Sequence, residues 1–563
     1  MLGTVPVSRS RWTSLAALAG YSVVAFLLLG VQPLVRGSTQ FIGFGYDPQI
    51  FIWSLAWWPH AIAHGQNPFV THAIWAPIGV NLTWSTTVPG LALLFAPLTV
   101  LAGPILAYDV AAVLMPALAA WTAFRLCRYL TRSLWPSLVG GFLFGFSSYL
   151  IAQDGYGGHL NLGSVFLLPV VALTILRFLD GELGGRGVVL RLGVELALQV
   201  LFSTEVAFTL GLAIVVGVGL AAVTAPVRRA RLRALVAPLL GACGLAALLT
   251  SPFLYYLISG GARGPFYSGP DNFDSDLVNF VVPVKTTLAG GDLLTGVSRH
   301  FLANEPEEGG YLGIPSLLIL GWYARERWRT PAGRFLLGSL AMGVIAALGA
   351  RLTVDGHAVL PLPWALVRSL PVVDNVLTDR FVVYVALTVA VVVALWAAEH
   401  HGPLRRYALP ALAALAVLPN PVYEGFSTTY HVPPFFTDSI YRSCIDPGET
   451  VLPFPTRGGA ALLWQVDSGF RFDMAAGDIG PDIPSAFFQP PSVDPVAGGL
   501  PLDPGAAGIL RTFLAGKNVT SIVLDGRQAN LWAGAVDQIA APHVVGGVYL
   551  YHLEQYPPSC AGP

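Results

Sequence analysis

Charge is scarce in this chain. Asp, Glu, Lys and Arg make up 11% of 563 residues, where a soluble domain carries about 25%, so an ordinary water-soluble globule is excluded. Lysine is nearly missing: Lys285 and Lys517 stand alone among 31 basic residues. Arginine preference with abundant Gly, Ala and Pro reads as a high-GC bacterial genome. The net charge of −1 hides an asymmetry along the chain and gives no reason to expect a nucleic-acid partner. Cysteine is limited to four residues. Also missing are a Gly-rich phosphate loop, a His-Glu-x-x-His helix and a Ser-centred nucleophile elbow, which removes the common soluble-enzyme signatures. Between Met1 and Tyr108 the chain holds a single carboxylate, Asp47.

What is abundant is apolar sequence, at 54% hydrophobic residues and a mean hydropathy of +0.63. Arg9 and Arg11 precede an apolar run with no small-residue cleavage site after it, the pattern of an uncleaved anchor. Eleven segments read as membrane spans, near 13–34, 104–126, 134–152, 160–178, 188–204, 206–225, 234–257, 311–324, 334–350, 379–398 and 405–420. Arg125/Arg128/Arg132, Arg228/Arg229/Arg231/Arg233 and Arg325/Arg327/Arg329 then fall on one side with the N-terminus, which the positive-inside rule assigns to the cytoplasm. Residues 88–101 are expected as an interfacial helix, because a span there would turn the later arginine clusters outward. Trp53, Trp57 and Trp58 suit the outer interface. The longer loops 35–103, 258–310 and 351–378 fall outside, as does the C-terminus. The expected fold is therefore mainly α: a polytopic bacterial plasma-membrane protein with residues 1–420 in and around the bilayer.

Past residue 420 the pattern changes. Runs 450–454, 469–474, 519–524 and 545–553 read as strands, and 459–466, 504–515 and 528–539 as helices. Residues 421–563 are expected to form a small extracytoplasmic α/β domain. Cys444 and Cys560 bracket it, and in an oxidising compartment they read as one disulfide, the alternative being two free thiols. Cys127 and Cys243 read as apolar fillers.

Ionisable groups beside lipid are costly and are functional candidates by default. Asp47 sits in Gly45-Tyr46-Asp47-Pro48, as a catalyst or as a turn former. Asp154 and His159 follow the third span; Asp154 is a catalytic candidate or a helix cap, and His159 a ligand-binding or interfacial residue. Glu205 sits in a tight hairpin, where it acts on substrate or satisfies turn donors. Arg380 and Arg263 are the candidate cations for an anion, with snorkelling as the other reading of Arg380. Asp271, Asp274 and Asp276 read as a solvated loop, and Asp109 and Glu195 as aids to helix packing.

The layout resembles the GT-C superfamily of integral membrane glycosyltransferases over about residues 1–420. The resemblance is carried by a long first loop with an early acidic residue, a second carboxylate at the next outer loop, and the stretches Asp47-Pro48-Gln49, Gly158-His159, Tyr311-Leu312-Gly313-Ile314-Pro315 and Asn375-Val376-Leu377-Thr378-Asp379-Arg380-Phe381. It implies sugar transfer from a polyprenyl-phosphate carrier to a cell-envelope glycan, lipid or protein on the extracytoplasmic face. It also implies Asp47 as general base, Asp154 assisting, and Arg380, His159 and Arg263 on the phosphate. Many members carry a tandem acidic pair where Asp47 stands alone, which leaves metal use unknown, with Mg or Mn the candidate ions. The competing functions are a non-catalytic lipid-binding scaffold and a transporter of lipid-linked precursors. A transporter calls for midplane polar residues and pseudo-repeats, and neither is evident.

Overall fold

The computed structural model describes residues 7–36, 39–260, 270–290, 293–371, 373–480, 484–553 and 560. Helix α1 (Val7–Ala25) continues through Phe26–Gly30 and Val31–Arg36 into strand β1 (Gln40–Ile42). The first loop then holds α2 (Asp47–Ala63), the ribbon β2 (Val70–Thr71) and β3 (Val80–Asn81), and α3 (Pro89–Ala102). The bundle follows with α4 (Pro104–Thr131), α5 (Leu134–Gly145), α6 (Leu167–Leu179), α7 (Gly185–Phe202), α8 (Thr204–Thr224) and α9 (Arg229–Leu249). It closes with α10 (Ile314–Arg327), α11 (Pro331–Ala347), the hairpin β4 (Arg351–Val354) and β5 (His357–Pro361), α12 (Val382–Glu399) and α13 (Leu409–Ala416).

Seven helical stretches among the described residues are long and apolar enough to cross a membrane: Arg11–Pro33, Pro104–Thr131, Leu134–Tyr156, Leu160–Leu179, Thr204–Thr224, Pro226–Leu249 and Thr378–Glu399. The other four expected spans are helices that stop short of that test. Helix α7 carries Arg186, Arg191 and Glu195 within 18 residues. Helices α10 and α11 have 14 and 17 residues, about 21 and 26 Å at 1.5 Å per residue, against a hydrocarbon core of about 30 Å. Helix α13 has 8 residues. Helix α3, with 14 residues, is equally short of a crossing.

The C-terminal part contains β6 (Ser427–Thr429), β7 (Thr450–Phe454), α14 (Ala460–Asp467), β8 (Asp473–Met474), α15 (Ala507–Gly516), β9 (Ser521–Asp525), β10 (His543–Val545) and β11 (Val548–His552). Five strands form a mixed sheet in the order β10-β11-β9-β7-β8, with β7 parallel to both neighbours and β11 antiparallel to both of its own. A disulfide joins Cys444 to Cys560.

The C-terminal part is tied to the first loop by backbone and side-chain contacts. Strand β1 pairs antiparallel with β6, and the Trp75 N–H donates to the Ala476 carbonyl at 2.8 Å. Gln465 accepts from Trp53 Nε1 at 2.7 Å and donates to the carbonyls of Ala73 and Phe472 at 2.6 and 2.9 Å. One continuous apolar core therefore runs from α1 and the first loop into the sheet, across the boundary expected at 420. A second core lies among the bundle helices, around Val139, Leu168, Val392 and Trp396. Trp53, Trp57 and Trp58, expected at the lipid interface, are instead buried in this first core. Gln465 takes the Trp53 N–H, Phe470 packs on Trp53 and Trp57, and Phe69 packs on Trp58.

Candidate functional site

Asp47 is the first residue of α2, and Pro48 behind it presets a helical φ and lacks the N–H that the first turn leaves unpaired. Two glycines bring this corner against the end of the third span. Gly43 has φ +97°, and a Cβ there would lie 2.8 Å from Gly158 Cα; Gly158 has φ +66°, and its Cβ would lie 2.5 Å from Tyr108 Oη. Only glycine fits that approach. Tyr108 Oη reaches the carbonyls of Ile42 and Gly158, both at 3.0 Å, and Asp109 Oδ1 accepts from the Ile42 N–H at 2.9 Å. The second turn of α4 thus clamps both segments, with Asp109 holding strand β1. The α-helix Ser148–Leu150 widens into the π-helical turn Ile151–Tyr156, whose end delivers His159, a distortion common at functional positions.

The result is a continuous line of polar side chains. His159 Nε2 lies 2.8 Å from Asp47 Oδ2, and its Nδ1 lies 2.7 Å from Gln153 Oε1. Gln153 Nε2 donates to Glu307 Oε2. Arg380 Nη2 donates to Glu307 Oε1 at 3.0 Å, and its Nη1 donates to Glu205. Because the Gln153 amide nitrogen is committed to Glu307, its oxygen accepts from His159 Nδ1–H. The Asp47 carboxylate can only accept, so Nε2 donates as well. A ring donating from both nitrogens satisfies every partner in the line.

The line descends from water into the protein. The Asp47 side chain is 57% exposed, His159 13%, and Glu307 3%. Burial pushes the Asp47 carboxyl up, but the His159 hydrogen bond and charge outweigh it and hold the group below its ordinary value. Burial also opposes ionisation of Glu307, yet the Arg380 charge, with hydrogen bonds from Asp379 and Arg380, brings it to about 2. Its neighbour Glu308 goes the other way: burial, with Glu305 and Asp276 nearby, raises it to about 8.

Of the residues singled out from sequence, the structure gathers Asp47, His159, Glu205 and Arg380 into one network. Asp154 lies beside the line in sequence without joining it. It is buried against Gly163, and neither of its carboxyl oxygens has a hydrogen-bond partner among the described residues. Arg263 lies outside the described residues. Asp274 and Asp276, expected as solvated, are buried: Asp274 accepts from Thr378 and the Ala350 N–H, and Asp276 from the N–H groups of Val278, Asp355 and Gly356. Glu307 is one of three outer-loop glutamates, with Glu305 and Glu308, that the sequence offers as ionisable candidates without assigning a role; Gln153 is the member that sequence reasoning missed, since an uncharged amide gives no signal of its own. Phe44 and Tyr46, both exposed, flank Asp47, and Phe44 stacks on Tyr156 with ring centroids 5.4 Å apart.

The donor set does not suit a divalent cation. Among the described residues no group of three or more His, Cys, Asp or Glu is arranged to hold one, and the guanidinium of Arg380 already sits between Glu205 and Glu307.

The described architecture resembles the fold of membrane glycosyltransferases of known structure. It is similar to the arabinofuranosyltransferase AftD from Mycobacteria, with a TM-score of 0.57 and 14% identity over 98% of this chain and 40% of that one. It is also similar to the Archaeoglobus fulgidus oligosaccharyltransferase in its apo form, with a TM-score of 0.54 and 12% identity over 93% and 71% of the two chains. A third likeness is to the oligosaccharyltransferase AglB of the same organism in a complex, with a TM-score of 0.50 and 13% identity over 97% and 75%. The chain belongs to the family described as "Domain of unknown function (DUF6311)", which matches residues 17–418. No curated protein matches it.

Proposed function

We propose that this protein is a glycosyltransferase that moves a sugar from a polyprenyl-phosphate carrier to a cell-envelope acceptor at the extracytoplasmic membrane face, with Asp47 as general base. The observation that carries the reading is the line from exposed Asp47 through His159, Gln153 and Glu307 to buried Arg380. The fold is shared with AglB, which has been solved in complex with an inhibitory peptide and a dolichol-phosphate, and that supports a polyprenyl-phosphate donor. By the positive-inside rule the arginine-rich rim is cytoplasmic and the rim bearing Asp47 is not. On the same rule we keep the N-terminus inside and the region beyond residue 420 outside, with the shorter helices completing eleven membrane passages.

The acceptor hydroxyl approaches the exposed Asp47 oxygen, which takes its proton as the hydroxyl oxygen attacks the anomeric carbon. The bond from that carbon to the phosphate oxygen breaks, and polyprenyl phosphate leaves with the electron pair. His159, with N–H on both ring atoms, is the cation nearest the departing phosphate. Arg380, whose two terminal nitrogens are held by carboxylates, acts through Glu307 and Gln153 as a positioning residue, and Glu205 balances its charge. Phe44 and Tyr46 offer apolar faces against which a sugar ring can lie. No step is routed through a metal ion.

The test supplies purified protein in lipid nanodiscs with a panel of polyprenyl-phosphate sugars and follows release of polyprenyl phosphate. Turnover of at least one donor is expected, reduced by about 100-fold or more in Asp47→Asn. Undiminished turnover in that variant removes Asp47 from the reaction. No release from any donor, with envelope acceptors supplied, overturns the assignment as a transferase.

A further inference from the structure

A cavity of about 130 Å³ lies between α4, α6 and α7, toward the end of α4 remote from the first loop. Helix α4 starts at the first loop with Tyr108 and Asp109 and reaches Arg125 some 16 residues later, about 24 Å along its axis at 1.5 Å per residue. Arg125, Arg177 and Arg191 line the cavity, with Glu195, Thr122 and Thr174. None of these residues belongs to the line of side chains that ends at Asp47.

Two features separate this pocket from arginines that merely mark a topology. The first is an excess of positive charge: three arginines line the cavity with one carboxylate, Glu195, which lies close enough to Arg191 to feel its charge. Arg177 reaches Glu182 only at 3.5 Å. Arg125 lies over the Trp121 ring at 5.0 Å, and among the described residues neither Arg125 nor Arg191 forms a hydrogen bond or an ion pair. Three guanidinium groups around one cavity repel each other, and a bound anion relieves that repulsion. The second feature is an acceptor left open. Glu195 Oε1 accepts from Thr174 Oγ1 at 2.8 Å, while its Oε2 is buried without a hydrogen-bond partner. A ligand that both carries phosphate and donates a hydrogen bond satisfies both features at once.

The same helix shows where the rest of such a ligand would lie. Leu190, Val194 and Leu198 are 63%, 45% and 38% exposed and stand four residues apart, forming one apolar stripe on α7. Arg191 and Glu195 follow directly on the first two. A head group in the cavity would therefore have its acyl chains against that stripe.

We propose that this cavity binds the head group of an anionic, hydroxyl-bearing membrane glycerophospholipid. The arginines take the phosphate, Glu195 accepts from the hydroxyl, and the acyl chains run along α7. Basic pockets between membrane helices serve such head groups.

The experiment is native mass spectrometry of the full-length protein incubated with phosphatidylglycerol, phosphatidylcholine or inorganic phosphate. Phosphatidylglycerol should be retained in preference to phosphatidylcholine. Retention should drop about 30-fold in the double variant Arg125→Gln, Arg191→Gln, in line with the ~1 kcal/mol that each basic residue contributes at an anionic surface. Both arginines are exposed, and the lipid comparison on wild type requires no variant. Glu195→Gln should keep phosphatidylglycerol bound while lessening its preference over phosphatidic acid. Equal retention of phosphatidylglycerol and phosphatidylcholine by wild type, or equal retention by wild type and the double variant, overturns the proposal. Displacement of the lipid by millimolar inorganic phosphate also overturns it, by assigning the pocket to a soluble phosphate.

Discussion

At the scale of single residues, the site depends on one amide. Gln153 is the only uncharged member of the line: it donates its amide N–H to Glu307 and thereby presents Oε1 as the acceptor that fixes the His159 ring. Replacing it with Leu should lower kcat about 10- to 100-fold and leave the donor KM unchanged, because the group acts on His159 and not on substrate. Steady-state kinetics with varied donor tests this split. Glu308 supplies a stability prediction. Its folded-state value of about 8 lies above the ordinary glutamate value of about 4.3, so the folded form holds the proton more tightly. Its contribution is full below about pH 4.3 and is lost as pH rises toward 8. The thermal midpoint of the wild type should decline between pH 5 and 8, and Glu308→Gln should flatten that decline. Asp47, held below its ordinary value, stays ionised across that whole range, so deprotonation of this base adds no rate change between pH 5 and 8. Asp47 was legible in the sequence because it stands alone in a hundred residues, and Arg380 because a cation at a helix start beside lipid is costly. Gln153 was not, since a neutral amide carries no such cost until its partners are known.

At the scale of elements, the decisive contact is where the first loop meets the π-helical turn. Gly158→Ala places a methyl group against Tyr108 Oη and Pro48 in a backbone conformation that L side chains rarely adopt. Destabilisation of about 1–3 kcal/mol is expected, together with loss of turnover as His159 is pushed off Asp47. A thermal melt and an activity assay on one preparation check both effects. The strand 450–454 has the ends its sequence implies, because a short continuous apolar run between turn residues leaves few options. The run 469–474 shrank to Asp473–Met474, because Phe470 turns at φ +59° and packs on Trp53 and Trp57 instead of extending the sheet. Membrane helices were legible as apolar runs, but the number that cross was not. Hydropathy does not distinguish a 17-residue helix packed on α12 from one that spans.

At the scale of the whole molecule, the first loop and the C-terminal sheet share a core. The sequence suggested a seam at 420 because composition changes there, and composition holds no record of which surfaces meet. The Cys444–Cys560 bridge closes a loop across 116 residues, and its removal by Cys444→Ser with Cys560→Ser should cost up to about 4–5 kcal/mol. Because the sheet is continuous with the core around α2, the loss should weaken the Asp47 corner as well as the sheet. Hydrogen exchange of residues 47–63 should rise in that variant; exchange confined to residues beyond 420 would show two independent units. The central claim is that the line from Arg380 to Asp47 serves sugar transfer from a lipid carrier. Its most direct test is a single turnover, with polyprenyl-phosphate sugar bound before acceptor is added, in wild type and Asp47→Asn. The account predicts that the variant keeps its donor intact and transfers about 100-fold more slowly or worse. A variant that consumes bound donor at the wild-type rate contradicts it.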